Sequence, residues 1–224
     1  MIFHPPSWLP PITEDLSTVG IVGDFVLHGL TGSTTLESAV DEPITLVSAP
    51  TQKSKTNRQL AEDVEALAAG LARDLQWSPN EPAQGGKVIA VLSENTVDYL
   101  TYCWATHRLR GTCLLLHAST SPTENAKHME HSHCNILIVS PALLESGRAV
   151  AAAVREGDAR VYLTEPVPSN TQTNGGLKTI EELLNLGKAL VPLPALNWSP
   201  EEAQSSIAYL CATSGTSGVQ VTRK

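Results

Sequence analysis

A doubly wound α/β fold, a partial parallel sheet with flanking helices, is predicted by three features of this 224-residue chain. Val88-Ile-Ala-Val-Leu92, Thr112-Cys-Leu-Leu-Leu116 and Ile136-Leu-Ile-Val139 are near-continuous apolar runs, the pattern of strands covered on both faces. Helical patterns alternate with these runs at short spacing, which is the rhythm of βαβ units. Helix-start signals fall where that rhythm needs them: Ser121-Pro-Thr-Glu124 and Thr179-Ile-Glu-Glu182 both have the form of a capping box.

In chain order, Pro5, Pro6, Pro10 and Pro11 around Trp8 predict an extended segment over residues 1–20. Asp24 to Leu30 reads as a short helix, 29–38 as loop, and Ile44-Thr-Leu-Val47 as an edge strand ahead of Pro50. From Thr56 to Leu75 the period becomes helical, with Leu60, Val64, Leu67, Ala68, Leu71 and Leu75 on one face. A loop from Ser78 to Gly86 ends that helix, and the strand Val88–Leu92 follows. Asn95 or Thr96 is predicted to cap a helix reaching Arg110, with Val97, Leu100, Trp104 and Leu109 inward.

The strand Thr112–Leu116 leads to a helix from Ser121 to about His133. Next come a strand at Ile136–Val139, a helix from Pro141 to Val154 and a strand at Val161–Leu163. Residues 165–176 form a loop, Thr179 opens a helix to about Gly187, and a Pro-rich connection from Pro192 to Pro200 leads into a last strand at Ile207–Cys211. There is no internal repeat and no low-complexity tract.

A formal charge of −8 argues against a nucleic-acid backbone or an anionic membrane surface as the main partner. Cys103, Cys113, Cys134 and Cys211 are scattered in apolar settings, which predicts reduced, buried thiols rather than a disulfide framework. The first ten residues lack the basic and apolar regions of a secretory signal, and no run approaches a membrane span. The chain therefore reads as a soluble, cytoplasmic protein.

The stretch that carries chemistry is Thr213-Ser-Gly-Thr-Ser-Gly218, directly after the last apolar run. Gly215 and Gly218 permit positive φ, so several N–H groups can turn into one concavity, with the hydroxyls of Thr213, Ser214, Thr216 and Ser217 beside them. That concavity suits phosphate oxygens. It is not the common P-loop, which needs Gly-Lys-Ser/Thr where this chain has Gly218-Val219-Gln220. Turn chemistry alone favours an ordinary turn over a phosphate loop.

Other clusters read as structural. His128, His131, His133 and Cys134 straddle a helix end and have no matched second pair of ligands, so no metal site is assigned. Cys103 and His107 share an i, i+4 face but lack a third orienting group, and read as a packed pair. Gly85-Gly86 precedes a strand instead of opening a helix, so it is not a phosphate loop.

Residues Thr213 to Gly218 resemble the phosphate-binding loop of the AMP-dependent synthetase/ligase family, the adenylate-forming enzymes that include acyl-CoA synthetases and 4-coumarate-CoA ligase. This resemblance decides between turn and phosphate loop. Lys55 to Leu75 resembles the family's first helix. Lys87-Val-Ile-Ala-Val-Leu-Ser-Glu-Asn95 and Tyr102-Cys-Trp-Ala-Thr-His-Arg-Leu109 resemble the strand and helix that follow, particularly in fungal acyl-CoA ligase-like members, and Pro194-Ala-Leu-Asn-Trp-Ser199 precedes the loop as in that group.

The resemblance implies the N-terminal part of the adenylate-forming fold, with residues 1–224 as a truncated AMP-binding domain ending at its phosphate loop. Relatives join a carboxylic acid to ATP with Mg2+, giving an acyl-adenylate and pyrophosphate, and many then pass the acyl group to coenzyme A. After the second loop glycine the family has a variable residue, Pro, Lys and Gly, whereas this chain has Val219, Gln220, Val221 and Thr222. Only Thr213, Ser214, Gly215, Thr216, Ser217 and Gly218 match family positions, so no catalytic residue is assigned and the chain alone is expected to be inactive. Two further readings stay open: one half of a split ligase, and a non-catalytic interaction protein that keeps the fold and self-associates through an exposed sheet edge. A peroxisomal location stays open for a full-length form.

Overall fold

The structure, a computed structural model, describes residues 21–23, 44–82, 86–154, 159–167, 175–197, 199–212 and 222–223. The predicted extended segment 1–20 and the predicted helix Asp24–Leu30 lie outside the described residues. β1 (Ile44–Val47) pairs antiparallel with β2 (Ser54–Thr56) in a two-stranded sheet. It is an edge strand of this hairpin and not of the main sheet. The tight turn after it returns the chain at once, with Ser48 N donating to Lys53 O and Gln52 N to Ser48 O, both at 2.8 Å.

α1 (Asn57–Leu75) starts at a reciprocal capping box, in which Thr56 Oγ1 accepts from Gln59 N at 3.2 Å and Gln59 Oε1 accepts from Thr56 N at 2.9 Å. Leu60, Val64, Leu67, Ala68 and Leu71 are buried as predicted, and Leu75 packs on the core while partly exposed.

The main sheet consists of β3 (Val88–Leu92), β4 (Thr112–Leu115), β5 (Ile136–Val139), β6 (Arg160–Leu163), β7 (Tyr209–Ala212) and β8 (Thr222–Arg223). Its order is β6–β5–β3–β4–β7–β8. All neighbours are parallel except β7 and β8. Between the strands run α2 (Tyr99–Arg108), α3 (Pro122–His131), a 3-10 turn at Pro141–Leu143 that continues into α4 (Leu144–Ala153), α5 (Ile180–Lys188) and α6 (Pro200–Ser205).

The two-residue period of the strands sorts the core into two layers. Ile89, Val91, Ile136, Ile138 and Tyr162 face α1, α2 and α5, packing with Leu67, Leu71, Tyr102, Ala105 and Leu183. Ala90, Leu92, Leu137, Val139 and Leu163 face α3 and α4, packing with Ala126, Met129, Leu144 and Val150. Helices on both faces are what make the strands apolar throughout, and the predicted doubly wound class holds.

Several features differ from the sequence reading. α2 begins at Tyr99, not at Asn95 or Thr96, because Thr96 Oγ1 accepts from Asp98 N at 3.3 Å within a turn ahead of the helix. The connection from Pro192 to Pro200 does not run straight into the last strand. Ser199 Oγ accepts from Glu202 N at 3.2 Å and Glu202 Oε2 accepts from Ser199 N at 2.9 Å, a capping box that starts α6. Cys103, Cys113 and Cys134 are buried free thiols, but Cys211 is exposed, in the exposed carboxyl half of β7. A thiol-reactive dye is therefore expected to label Cys211 rapidly in the native chain, with the three buried thiols labelled only on unfolding. Fast labelling of a Cys211→Ser variant contradicts this placement.

α1 and α5 meet backbone to backbone. A Cβ built on Gly70 would lie 2.1 Å from Leu183 O, and one on Gly187 would lie 1.7 Å from Ala66 O, so only glycine permits the approach. Beside this seam, buried Lys55 of β2 joins three elements. Its Nζ donates to Asp63 Oδ2 of α1 at 2.8 Å, to Asp98 Oδ1 at the start of α2 at 2.5 Å, and to Thr101 Oγ1 of α2 at 3.3 Å.

Candidate functional site

The predicted phosphate loop follows β7, and the surrounding elements fix where β7 begins. Arg110 at the end of α2 donates to Glu202 Oε1 of α6 at 2.8 Å, and Asn80 holds the approach by donating to Ala195 O at 2.9 Å and accepting from Asn197 N at 2.8 Å. Thr112 Oγ1 then donates to Ile207 O at 2.8 Å, and Cys113 N donates to Ala208 O at 2.9 Å. From there β7 runs beside β4 with Cys113, Leu114 and Leu115 opposite Tyr209, Leu210 and Cys211.

Because this pairing is parallel, Ala212 stands at the same end of the sheet as the carboxyl ends of β3, β4, β5 and β6. Thr213, Ser214, Gly215, Thr216, Ser217 and Gly218 follow Ala212 in sequence and lie outside the described residues. The described chain resumes with Thr222, paired antiparallel with Ala212.

At that same end lies a cavity of about 780 Å3. The chain goes from β3 to β4 on one side of β3 and returns to β5 on the other, so the helices after β3 and β5 leave on opposite faces and their loops diverge. Ligands of doubly wound sheets sit in such crevices. Glu94 and Asn95 come from the loop after β3, Ser140 from the loop after β5, and Thr164 and Glu165 from the loop after β6, with Lys53 of the β1–β2 turn opposite. Glu94, Glu165 and Glu181 outnumber Lys53 in the lining, which disfavours a phosphate here. Sequence reasoning assigns no binding role to these residues. The available signal was that each of their loops leaves the carboxyl end of a predicted buried strand.

The packed-pair reading of Cys103 and His107 holds in part. Both are buried, but each side chain turns to a different element. Cys103 packs with Leu60 and Val64 of α1 and Cys113 of β4, whereas His107 Nε2 lies 2.8 Å from Ala208 O and the ring sits edge-on to Tyr209, with centroids 4.7 Å apart. Burial pushes the His107 imidazole below its ordinary value, and the Ala208 carbonyl only partly offsets this.

Between that lowered value and the ordinary value of about 6.5, the unfolded chain holds a proton that the folded chain does not. His107 is therefore expected to reduce stability as pH falls through this window. Urea unfolding at pH 7 and pH 5 should show a smaller acid loss for His107→Gln, and an equal loss in both proteins contradicts the assignment.

His128 is buried and His131 and His133 are exposed, while the Cys134 thiol donates to Val88 O at 3.4 Å and Ile136 O at 3.2 Å. Burial pushes that thiol up to about 12. Among the described residues no group of three or more His, Cys, Asp or Glu is placed to hold a metal. Nor is any helix among them long and apolar enough to cross a membrane.

A parallel sheet with helices on both faces and a crevice at the carboxyl ends of its strands defines the doubly wound class of α/β proteins. The chain belongs to the family of AMP-binding enzymes, whose pattern matches residues 37–220. It is 35% identical to acyl-CoA ligase easD of Emericella nidulans, over 98% of this chain and 39% of that protein. It is 33% identical to acyl-CoA ligase gloD of Glarea lozoyensis, over 97% of this chain and 38% of that one. It thus spans about two fifths of the length of these relatives.

Solved structures agree in fold. The luciferase-like enzyme of the Zophobas morio mealworm superposes with a TM-score of 0.64 at 15% identity, covering 98% of this chain and 43% of that one. The anthranilate CoA ligase AuaEII, in complex with anthranoyl-AMP, superposes with a TM-score of 0.63 at 13% identity, covering 89% of this chain and 32% of that one. The fold is part of the adenylate-forming architecture, as the resemblance implied.

Proposed function

We propose that these residues are the N-terminal part of an ATP-dependent acid-CoA ligase, which activates a carboxylic acid as its acyl-adenylate and then forms a coenzyme A thioester. The observation that carries this reading is the parallel β4–β7 pairing, which brings Ala212 to the carboxyl end of the sheet immediately ahead of Thr213-Ser-Gly-Thr-Ser-Gly218. In the proposed role, backbone amides freed by Gly215 and Gly218, with the hydroxyls of Thr213, Ser214, Thr216 and Ser217, hold the phosphates of ATP. Their dipoles favour the charge that develops as pyrophosphate leaves. Mg2+ supplies further neutralisation when bound. The described residues offer it no cluster of carboxylates, so the triphosphate would carry most of its ligands.

The chain has no lysine at the family's loop position, and it spans about two fifths of its relatives' length. We therefore propose that by itself it grips phosphate weakly and releases no pyrophosphate. Titration calorimetry with Mg-ATP should give a Kd on the order of millimolar, an interaction of about 4 kcal/mol, weakened further by Gly215→Val. Micromolar affinity, acid-dependent pyrophosphate release by the chain alone, or binding indifferent to Gly215→Val overturns the reading.

A further inference from the structure

His107 is an unexpected residue for its position. It lies in the last turn of α2, is only 3% exposed, and among the described residues has one polar partner, the carbonyl of Ala208. A carbonyl accepts and cannot donate, so Nε2 carries the hydrogen, and burial, which lowers the imidazole below its ordinary value, keeps the ring neutral near pH 7. Nδ1 is then an acceptor, and it is buried without a hydrogen-bond partner among the described residues. Leaving such an atom unpaired is unfavourable, a cost that a leucine of similar volume would not incur. What the imidazole adds over a leucine is a directed N–H at one backbone oxygen.

That oxygen belongs to the residue just ahead of β7. It also accepts from Cys113 N of β4 at 2.9 Å, so two elements hold the same carbonyl. The edge-on contact between His107 and Tyr209, at an interplanar angle of 84°, fixes the first residue of β7 as well. Ala208 has no polar side chain with which to hold its own position. Four residues later, at Ala212, the strand ends and the hydroxyl-and-glycine run begins.

We propose that His107 is a positioning residue for the phosphate loop: by holding Ala208 O and the ring of Tyr209 it sets where β7 delivers Thr213–Gly218. The inference rests on the ligase reading above, because it is the phosphates of ATP that the delivered loop would hold. His107 touches no substrate in this role and acts only through the strand.

Two variants separate the directed N–H from mere bulk. His107→Leu keeps the volume and loses the donor, whereas His107→Gln keeps a terminal N–H able to reach the carbonyl. Amide exchange of Cys113, whose N–H shares that carbonyl, should lose about tenfold protection in His107→Leu, the loss of roughly one hydrogen bond, and stay near wild type in His107→Gln. Calorimetry with inorganic tripolyphosphate should show the same order, about tenfold weaker for His107→Leu and rescued by His107→Gln. Val150→Ala, in the core on the opposite face of the sheet, lowers global stability without removing any contact to Ala208 O or the Tyr209 ring and should leave tripolyphosphate affinity unchanged.

Unchanged Cys113 protection in His107→Leu, unchanged affinity in that variant, or an equal loss in Val150→Ala overturns the positioning role while the ligase reading stands. Failure of the wild-type chain to bind tripolyphosphate saturably overturns both. Exchange data distinguish the cases, since the grip on Ala208 is read there without any ligand.

Discussion

Gly187→Ala is expected to destabilise the chain by about 2–3 kcal/mol, the upper range for overpacking a tight contact. Two effects oppose each other at this site. Alanine is the better helix former and would by itself gain about 1 kcal/mol inside α5. Its methyl group, however, would lie 1.7 Å from Ala66 O and 2.9 Å from Gly70 N of α1. Both obstacles are backbone atoms, so no rotamer change makes room.

The two helices must then move apart by roughly 1.5 Å to restore ordinary contact, which loosens the packing of Ile180 and Leu183 against Leu67 and Leu71. The clash should therefore outweigh the propensity gain. Urea denaturation should show a lower midpoint at unchanged slope. A midpoint equal to or above wild type would mean that the α1–α5 seam is not closed as described.

That seam also shows what a sequence can and cannot disclose. Gly70, inside a nineteen-residue helix, looks from the sequence like a cost in helix stability, and only the partner helix explains it. The buried strands were legible because both of their faces are covered, which leaves a run such as Ile136-Leu-Ile-Val139 little room for polar residues. The helix after Thr179 was legible because both bonds of a capping box lie within four residues.

α6 was missed although Ser199-Pro-Glu-Glu202 has the same form, because Pro192, Pro194 and Pro200 together suggest a connection, and Pro200 is in fact the first residue of the helix. For His107 the i, i+4 spacing directs attention to Cys103 on its own helix, while the actual polar partner lies 101 residues further along the chain. The switch-point cavity depends on loops near residues 94, 140 and 164 lying at one end of the sheet, which follows from strand order and from no local pattern. The loop that carries the functional reading is the reverse case: its composition was evident and its meaning came from the family.

Lys55→Met is expected to cost about 2 kcal/mol and to free the β1–β2 hairpin from the sheet. Burial alone would push the Lys55 ammonium down, yet hydrogen bonds to Asp63 and Asp98 prevail and hold it above its ordinary value of 10.5. The ion pair is therefore net favourable to the charged lysine. Methionine keeps the apolar stem and fills most of the space, so the loss is electrostatic and not a cavity. Asp63 and Asp98 are partly exposed, at 22% and 41% of their side chains, and water can re-solvate them. For that reason the cost should fall below the 3–5 kcal/mol typical of breaking a fully buried pair.

The raised value also sets a pH window. The contribution of Lys55 is complete below about 10.5, where lysine is charged in both states, and declines as pH rises through the folded value. Lys55→Met should thus narrow the stability difference between pH 9 and pH 11 as well as lower its level. Since Asp98, Thr101 and Lys53 all line the cavity, release of the hairpin should also raise exchange of the Ser48 amide, which donates to Lys53 O within the turn. Full retention of that protection, with stability within about 0.5 kcal/mol of wild type, would mean that Lys55 does not tie the hairpin to α1 and α2.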